Sequence, residues 1–317
     1  MDSLQLQKLA QRSRSTREAG VALLFASGIL ALFLFIPSTP QPMPNDAAPI
    51  AIATSTAPGA FAQVPIEAKA AIVYDLATGK TLYAKNADAQ LPLASLTKLL
   101  TVYAAITELS PQTPITIPAD VTHLYAPHAF SAGQVFSLAD LARLTLTASL
   151  NDGAAAIAEA TAARENRPLD ETLASAAAAL GLSQTYAVNG NGLDVNTAVS
   201  GGYGSAHDLA RLAGALAERA PEITEATTHA TARAVSEGGT TFTVKNTDPM
   251  VSAIPQLLLS KTGYTDLAGG NLALVFDVGI NHPIAVVVLG STEKDRFTDG
   301  TTLVAATLAH FAGVPSL

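Results

Sequence analysis

The chain has 317 residues, with Lys+Arg 18 against Asp+Glu 26 for a net charge of −8. It is 49% hydrophobic but only 14% charged, with a mean hydropathy of +0.30. Aromatics are 5% and Trp is absent, so alanine carries much of that hydropathy. Only one stretch approaches the roughly 20 apolar residues of a membrane span. These figures exclude a disordered chain and a multi-span transporter. The absence of cysteine excludes disulfides, thiolate metal sites and a cysteine nucleophile.

In chain order, residues 1–18 read as a basic cytoplasmic tail: Lys8, Arg12, Arg14 and Arg17 outweigh Asp2 and Glu18, giving +2 and leaving −10 for the rest. Residues 19–36 (AGVALLFASGILALFLFI) carry no charge and as a helix span about 27 Å. The basic flank precedes them, and the positive-inside rule orients the remainder outside the cell membrane. A cleaved signal peptide needs a small-residue site soon after the apolar core. Pro37-Ser38-Thr39 stands there instead, so an uncleaved single-pass anchor is the expectation, over a buried core helix as the bland alternative. Residues 37–64, rich in Pro, Ala and Thr, read as an extended linker. The acidic remainder has no Lys/Arg cluster and argues against nucleic acid as a partner.

The folded unit is expected over 65–317. Ala70–Tyr74 and Thr81–Ala84 read as a hairpin around the turn-rich Asp75–Lys80. Leu96–Ile106 suits a helix opened by Ser95. Ser137-Leu-Ala-Asp140 is a capping start, Leu169–Leu180 is an Ala-rich helix stopped by Gly181, and Ser205-Ala-His-Asp208 opens another that ends before Pro221. Asn271–Val278 and Ile284–Leu289 read as strands around a turn at Gly279–Pro283, and Thr301–Phe311 as a closing helix. Strands at both ends with helices between them predict an α+β fold. An antiparallel sheet joins the two chain ends, and a mostly helical insertion occupies about 107–250.

Several chemistries lack their signatures. There is no HExxH, HxxEH, GxSxG or complete GxGxxG, so no metal or dinucleotide cofactor is expected. His123, His128, His207, His229, His282 and His310 are scattered and suit surface or capping roles. The positive signal is ordered: Ser95-Leu-Thr-Lys98 (SxxK), Ser149-Leu-Asn151 (SxN) and Lys261-Thr262-Gly263 (KTG) followed by Tyr264. An SxxK alone is weak, and a second occurs at Ser291–Lys294. The three motifs in this order are a strong signal for acyl-transfer chemistry on serine. Helical spacing i, i+3 sets Lys98 beside Ser95. A neutral amine there accepts the serine proton, which requires a lysine pKa lowered by burial and by a second cation, Lys261. Ser149 extends the proton relay and Asn151 offers an amide to the substrate backbone. On an edge strand, KTG lets a peptide add alongside, with Gly263 leaving room for close approach and Lys261 and Thr262 facing a terminal carboxylate. The backbone N–H groups at Ser95 and Tyr264 are the expected oxyanion donors.

Across roughly Ala70 to Gly290, through AIVYDLATGKTLYAKN, LPLASLTKLLT, ASLNDGAAAIAE, NGNGLDVN, SAHDLARLA, VKNTDPMV and KTGYTDLAGGNLAL, the chain resembles the low-molecular-mass penicillin-binding proteins of the D-alanyl-D-alanine carboxypeptidase family. The resemblance implies a DD-peptidase/β-lactamase-like fold and an acyl-enzyme on Ser95 with Lys98 as general base. It also implies Ser149 and Asn151 as the second motif, carboxylate binding by Lys261, and removal of the terminal D-Ala from peptidoglycan stem peptides. β-Lactam antibiotics are then acylating inhibitors. Three features depart from the pattern. Leu150 stands where Gly is usual, and its added side chain is read as narrowing the cleft or changing the substrate, with Ser149 and Asn151 retained. The chain ends at Leu317 after its closing helix, with the N-terminal helix replacing a C-terminal anchor. The Asn189 loop reads NGNGLD. A DD-endopeptidase that cuts crosslinks uses the same site and is the alternative. A non-catalytic penicillin sensor or peptidoglycan-binding module would keep Ser95 but turn over poorly. A β-lactamase lacks its Glu-x-x-x-Asn deacylation signature here, and a transpeptidase its large extra domains.

Overall fold

In the computed structural model, residues 59–313 are described. The expected tail, membrane anchor and most of the linker lie outside them. Among the described residues no helix is long and apolar enough to cross a membrane.

The centre is a five-stranded antiparallel sheet. Its strands are β1 (Ala70–Asp75), β2 (Lys80–Lys85), β3 (Leu257–Thr265), β4 (Gly269–Asp277) and β5 (Pro283–Ser291), in the order β3-β4-β5-β1-β2. Both chain ends meet where β1 pairs with β5, with Ile72 opposite Val287 and Val73 opposite Val286. Strands β4 and β5 are apolar almost throughout, because helices cover both faces. Alternation sorts them. Ile72, Val275, Val287 and Leu289 face the large core shared with the helices, while Val73, Leu274, Phe276, Val286 and Val288 face Leu303 and Val304 of the closing helix.

The longer helices among the described residues are α1 (Thr97–Glu108), α2 (Leu138–Ala148), α3 (Asn151–Glu165), α4 (Leu169–Ala179), α5 (Ala206–Arg219) and α6 (Asp295–Phe311), and α5 and α6 pack on the central sheet. The N-caps follow the sequence reading: Ser137 accepts from Asp140 N and Ser205 from Asp208 N. Gly181, at φ +63, ends the α4 segment as expected.

Two expectations needed correction. The closing helix begins at Asp295 rather than Thr301, because Thr292 Oγ1 and the Asp295 backbone and carboxylate cap one another (2.9 and 2.7 Å). A hairpin of Thr231–Val235 and Thr241–Lys245 also sits within the segment read as mostly helical. Its strands, TARAV and TFTVK, do alternate polar and apolar residues, a strand signal that the helical reading passed over.

Two buried carboxylates fasten the sheet. Asp75 accepts from Ala77 N and Thr78 N (both 3.0 Å) and lies 3.0 Å from His282 Nε2, tying the β1–β2 turn to the β4–β5 turn. Asp299 of α6 accepts from Glu67 N (3.0 Å), Ala68 N (2.9 Å) and Ser291 Oγ (2.7 Å), clamping the entry to β1 against the last strand. Ser291 of the second SxxK is therefore a structural partner of Asp299. Removing one side of such a network orphans buried donors, so Asp299→Ala is expected to cost about 3 kcal/mol. Urea unfolding should show a lower midpoint, with Asp299→Asn intermediate.

Candidate active site

Ser95 lies in a 3₁₀ turn, Ala94–Leu96, that leads directly into α1 and places Lys98 in the first helical turn. The preceding residue, Ala94, is held at φ +48, a strained value for a residue with a side chain. The loop carrying NGNGLD holds it there. Gly192 packs against the Ala94 carbonyl so closely that a Cβ would overlap it.

Lys98 is 0% exposed. Its Nζ lies 2.7 Å from Ser95 Oγ, 2.8 Å from Asn151 Oδ1 and 2.8 Å from the Asn191 carbonyl. Two of these oxygens can only accept. A neutral amine has two N–H bonds and one lone pair, so its donors go to Asn151 and Asn191 and the lone pair faces the Ser95 hydroxyl. Burial pushes the Lys98 pKa well below the ordinary lysine range. Lys261 adds to that, and Asp152 opposes it. Asp152 sits at the start of α3, where its carboxylate accepts from Ala129 N (2.8 Å) and Phe130 N (2.7 Å).

The SxN segment is the junction of two helices. Ser149 ends α2 in a left-handed conformation at φ +59, and Asn151 begins α3. Ser149 Oγ meets Lys261 and Asn151 Oδ1 meets Lys98, so both enter the site while Leu150 between them turns the other way. Leu150 is 3% exposed and belongs to the main core. The expectation that it narrows the cleft is therefore not met. Asn151 also holds the facing loop, donating from Nδ2 to the Tyr125 carbonyl (2.8 Å) and from its backbone to the Pro127 carbonyl (2.7 Å).

The KTG residues occupy β3, at the edge of the sheet. Lys261, 1% exposed, donates to Ser149 Oγ (2.9 Å) and to the Thr262 carbonyl (2.7 Å). The Thr262 hydroxyl pairs with that of Thr247 at 2.6 Å. A Cβ on Gly263 would stand 2.9 Å from the Leu93 carbonyl and 3.3 Å from Ser95 N, so glycine lets β3 run against the serine turn. Burial lowers the Lys261 pKa to about 7, with Arg296 as the second cause. Among the described residues, no carboxylate forms an ion pair with Lys98, Lys261 or Arg296.

The sequence-predicted residues Ser95, Lys98, Ser149, Asn151, Lys261, Thr262 and Gly263 are thus brought together, with Tyr264 next along the strand. Sequence reading missed the Asn191 carbonyl, Asp152, Thr247 and Arg296. Arg296 is 8% exposed and donates to the Gly263 carbonyl at 2.9 Å. It follows Gly263 by 33 residues with no motif of its own, so only the fold reveals it. A cavity of about 700 Å³ between α5 and the turns at Leu76 and Asn281 contains none of these residues. Among the described residues no cluster of His, Asp and Glu is arranged to hold a metal.

Residues 54–293 match the model of the family described as D-alanyl-D-alanine carboxypeptidase. The chain is 30% identical over 265 residues to a D-alanyl-D-alanine endopeptidase of Pseudomonas aeruginosa, covering 80% of this chain and 83% of that one. It is also 30% identical over 265 residues to D-alanyl-D-alanine carboxypeptidase DacF of Bacillus subtilis, covering 78% and 66%. Among solved structures it is similar to penicillin-binding protein D2 from Listeria monocytogenes in its ampicillin-bound form. There the TM-score is 0.65 and the identity 27%, over 77% of this chain and 98% of that one.

A cation beside Lys261 disfavours its charged form, so removing that cation should raise its pKa. Arg296→Gln is expected to move the Lys261 titration upward from about 7. NMR of ¹³Cε-labelled lysine across pH 5–10 reads this directly.

Proposed function

The chain belongs to the D-alanyl-D-alanine carboxypeptidase family, and we infer that it is a serine peptidase that removes the terminal D-Ala from peptidoglycan stem peptides. The observation that carries this reading is a fully buried lysine, without a carboxylate ion pair among the described residues, whose amine lies 2.7 Å from Ser95 Oγ.

We propose that Ser95 is the nucleophile. Its hydroxyl attacks the carbonyl of the penultimate D-Ala while its proton passes to the Lys98 lone pair. The oxyanion forms between the N–H groups of Ser95 and Tyr264, preorganised by the Gly263 contact. The substrate carboxylate lies against Thr262 and protonated Lys261, with Arg296 behind the strand. Ser149, bonded to Lys261, gives its proton to the departing amine and is reprotonated with the proton that Lys98 took from Ser95, which leaves Lys98 neutral again. Water then attacks the acyl-enzyme while Lys98 takes its proton, and Lys98 returns that proton to Ser95 Oγ as the ester bond breaks. A β-lactam enters the same sequence as an acylating inhibitor.

This mechanism needs Lys98 neutral and Lys261 charged. With Lys261 titrating near 7, acylation should decline as pH rises through that value, because the carboxylate site loses its proton-bearing cation. We also propose that residues 19–36 anchor the protein as a single-pass cell-membrane protein with the peptidase unit on the outer side. The apolar run and its preceding basic flank support this.

Cleavage of crosslinks is the second reading. It is favoured by the endopeptidase relatives, of which the chain covers 83% and 85%.

Labelled penicillin is expected to attach covalently to the protein, and Ser95→Ala to abolish labelling. Lys98→Ala should slow acylation about 10²–10⁴-fold. Labelling that persists without Ser95 overturns the nucleophile assignment. Monomeric pentapeptide and crosslinked dimer assayed side by side separate the readings: D-Ala release from the first supports the carboxypeptidase, and cutting of the second alone supports the endopeptidase.

A further inference from the structure

The molecule is poor in aromatics, yet two of its seven tyrosines stand in solvent at the site. Tyr125 is 85% exposed and Tyr264 is 45% exposed. Tyr125 rides on a backbone that is fastened firmly. Asn151 holds its carbonyl and that of Pro127, and Asp152 holds the N–H groups of Ala129 and Phe130. Two consecutive residues at the start of α3 therefore hold the backbone from Tyr125 to Phe130 while the Tyr125 side chain stays exposed. From the Tyr125 carbonyl a chain of three hydrogen bonds, through Asn151 and Lys98, ends on Ser95 Oγ.

Tyr264 stands on the sheet side, immediately after Gly263, whose backbone touches the Ser95 turn. Strand direction assigns its place. Lys261 and Thr262 form the cationic end of the cleft, Gly263 is level with Ser95, and Tyr264 lies beyond it. A ligand with its carboxylate at Lys261 and its reacting carbonyl at Ser95 therefore carries its acyl-side chain past Tyr264. Exposed Val195 belongs to the third wall, the loop that supplies the Asn191 carbonyl to Lys98 and is latched to Thr265 through Asp194 at 3.1 Å.

We propose that Tyr125 and Tyr264 form a two-sided aromatic contact for the acyl-side chain of the ligand, and that this contact sets specificity among acyl donors. Tyrosine offers a large amphipathic surface at little rotamer cost, and a preanchored backbone lowers that cost further. The ligand class is an acyl donor with an apolar or aromatic group one residue before the reacting carbonyl. The proposal rests on the reading of Ser95 as the acylated residue.

The test compares second-order acylation constants for benzylpenicillin, which carries a phenylacetyl group at that position, and 6-aminopenicillanic acid, which carries a bare amine. It uses the full chain in detergent. In Tyr125→Ala the benzylpenicillin to 6-aminopenicillanic acid ratio is expected to fall about three- to tenfold, the size of an aromatic pair contact. Tyr125→Phe should retain the ratio, and Tyr264→Ala, which keeps its backbone N–H, should also lower it. A ratio unchanged in both alanine variants overturns the aromatic contact while leaving Ser95 as the nucleophile. A wild-type chain acylated by neither compound overturns the Ser95 reading and the proposal with it.

Discussion

Two lysine amines are buried in this fold and, among the described residues, no carboxylate forms an ion pair with either; most of the site follows from that constraint. Burying an unpaired ammonium is costly, so the folded state favours the neutral amine. Lys98 meets this constraint with two carbonyl oxygens for its two N–H bonds and a serine hydroxyl for its lone pair. Those three partners come from the 3₁₀ turn before α1, the start of α3 and the NGNGLD loop. Packing these elements thus also prepares a base. When Lys261 carries its proton, that charge works in the same direction, disfavouring a second charge on Lys98.

The sheet supplies the complementary half. Strand β3 is an edge, so its backbone is open to an added peptide strand, and glycine at 263 brings that edge against the serine turn. Arg296 reaches β3 from α6 on the far side and donates to the Gly263 carbonyl. Helix α6 therefore contributes to the same strand that carries the KTG residues, and through Asp299 it also pins the entry to the first strand. The fold's stability and the electrostatics of its site share one element.

Much of this was legible in the residue pattern. The strand runs AAIVYD and PIAVVVLGS, the capping serines at 137 and 205, and the helical spacing of Ser95 and Lys98 are local signals. Local backbone chemistry decides them. The order of the three motifs compensated for the weakness of each alone. The narrowed cleft read for Leu150 is not seen because sequence shows a side chain but not its direction. Ser149 turns left-handed at the end of α2, and that one backbone angle sends residues 149 and 151 to the cleft and 150 to the core.

The sequence by itself determined the sheet built from both chain ends, the main helices and the identity of the motif residues. Each depends on hydrophobic period, caps or spacing within a short stretch. Only the tertiary structure decided which oxygens surround Lys98, that Arg296 backs the KTG strand, that Ser291 serves Asp299, and that the Tyr125 carbonyl is held by Asn151. Those pairings join residues tens to hundreds of positions apart. No local periodicity encodes them, because they arise where surfaces from separate elements close on one another.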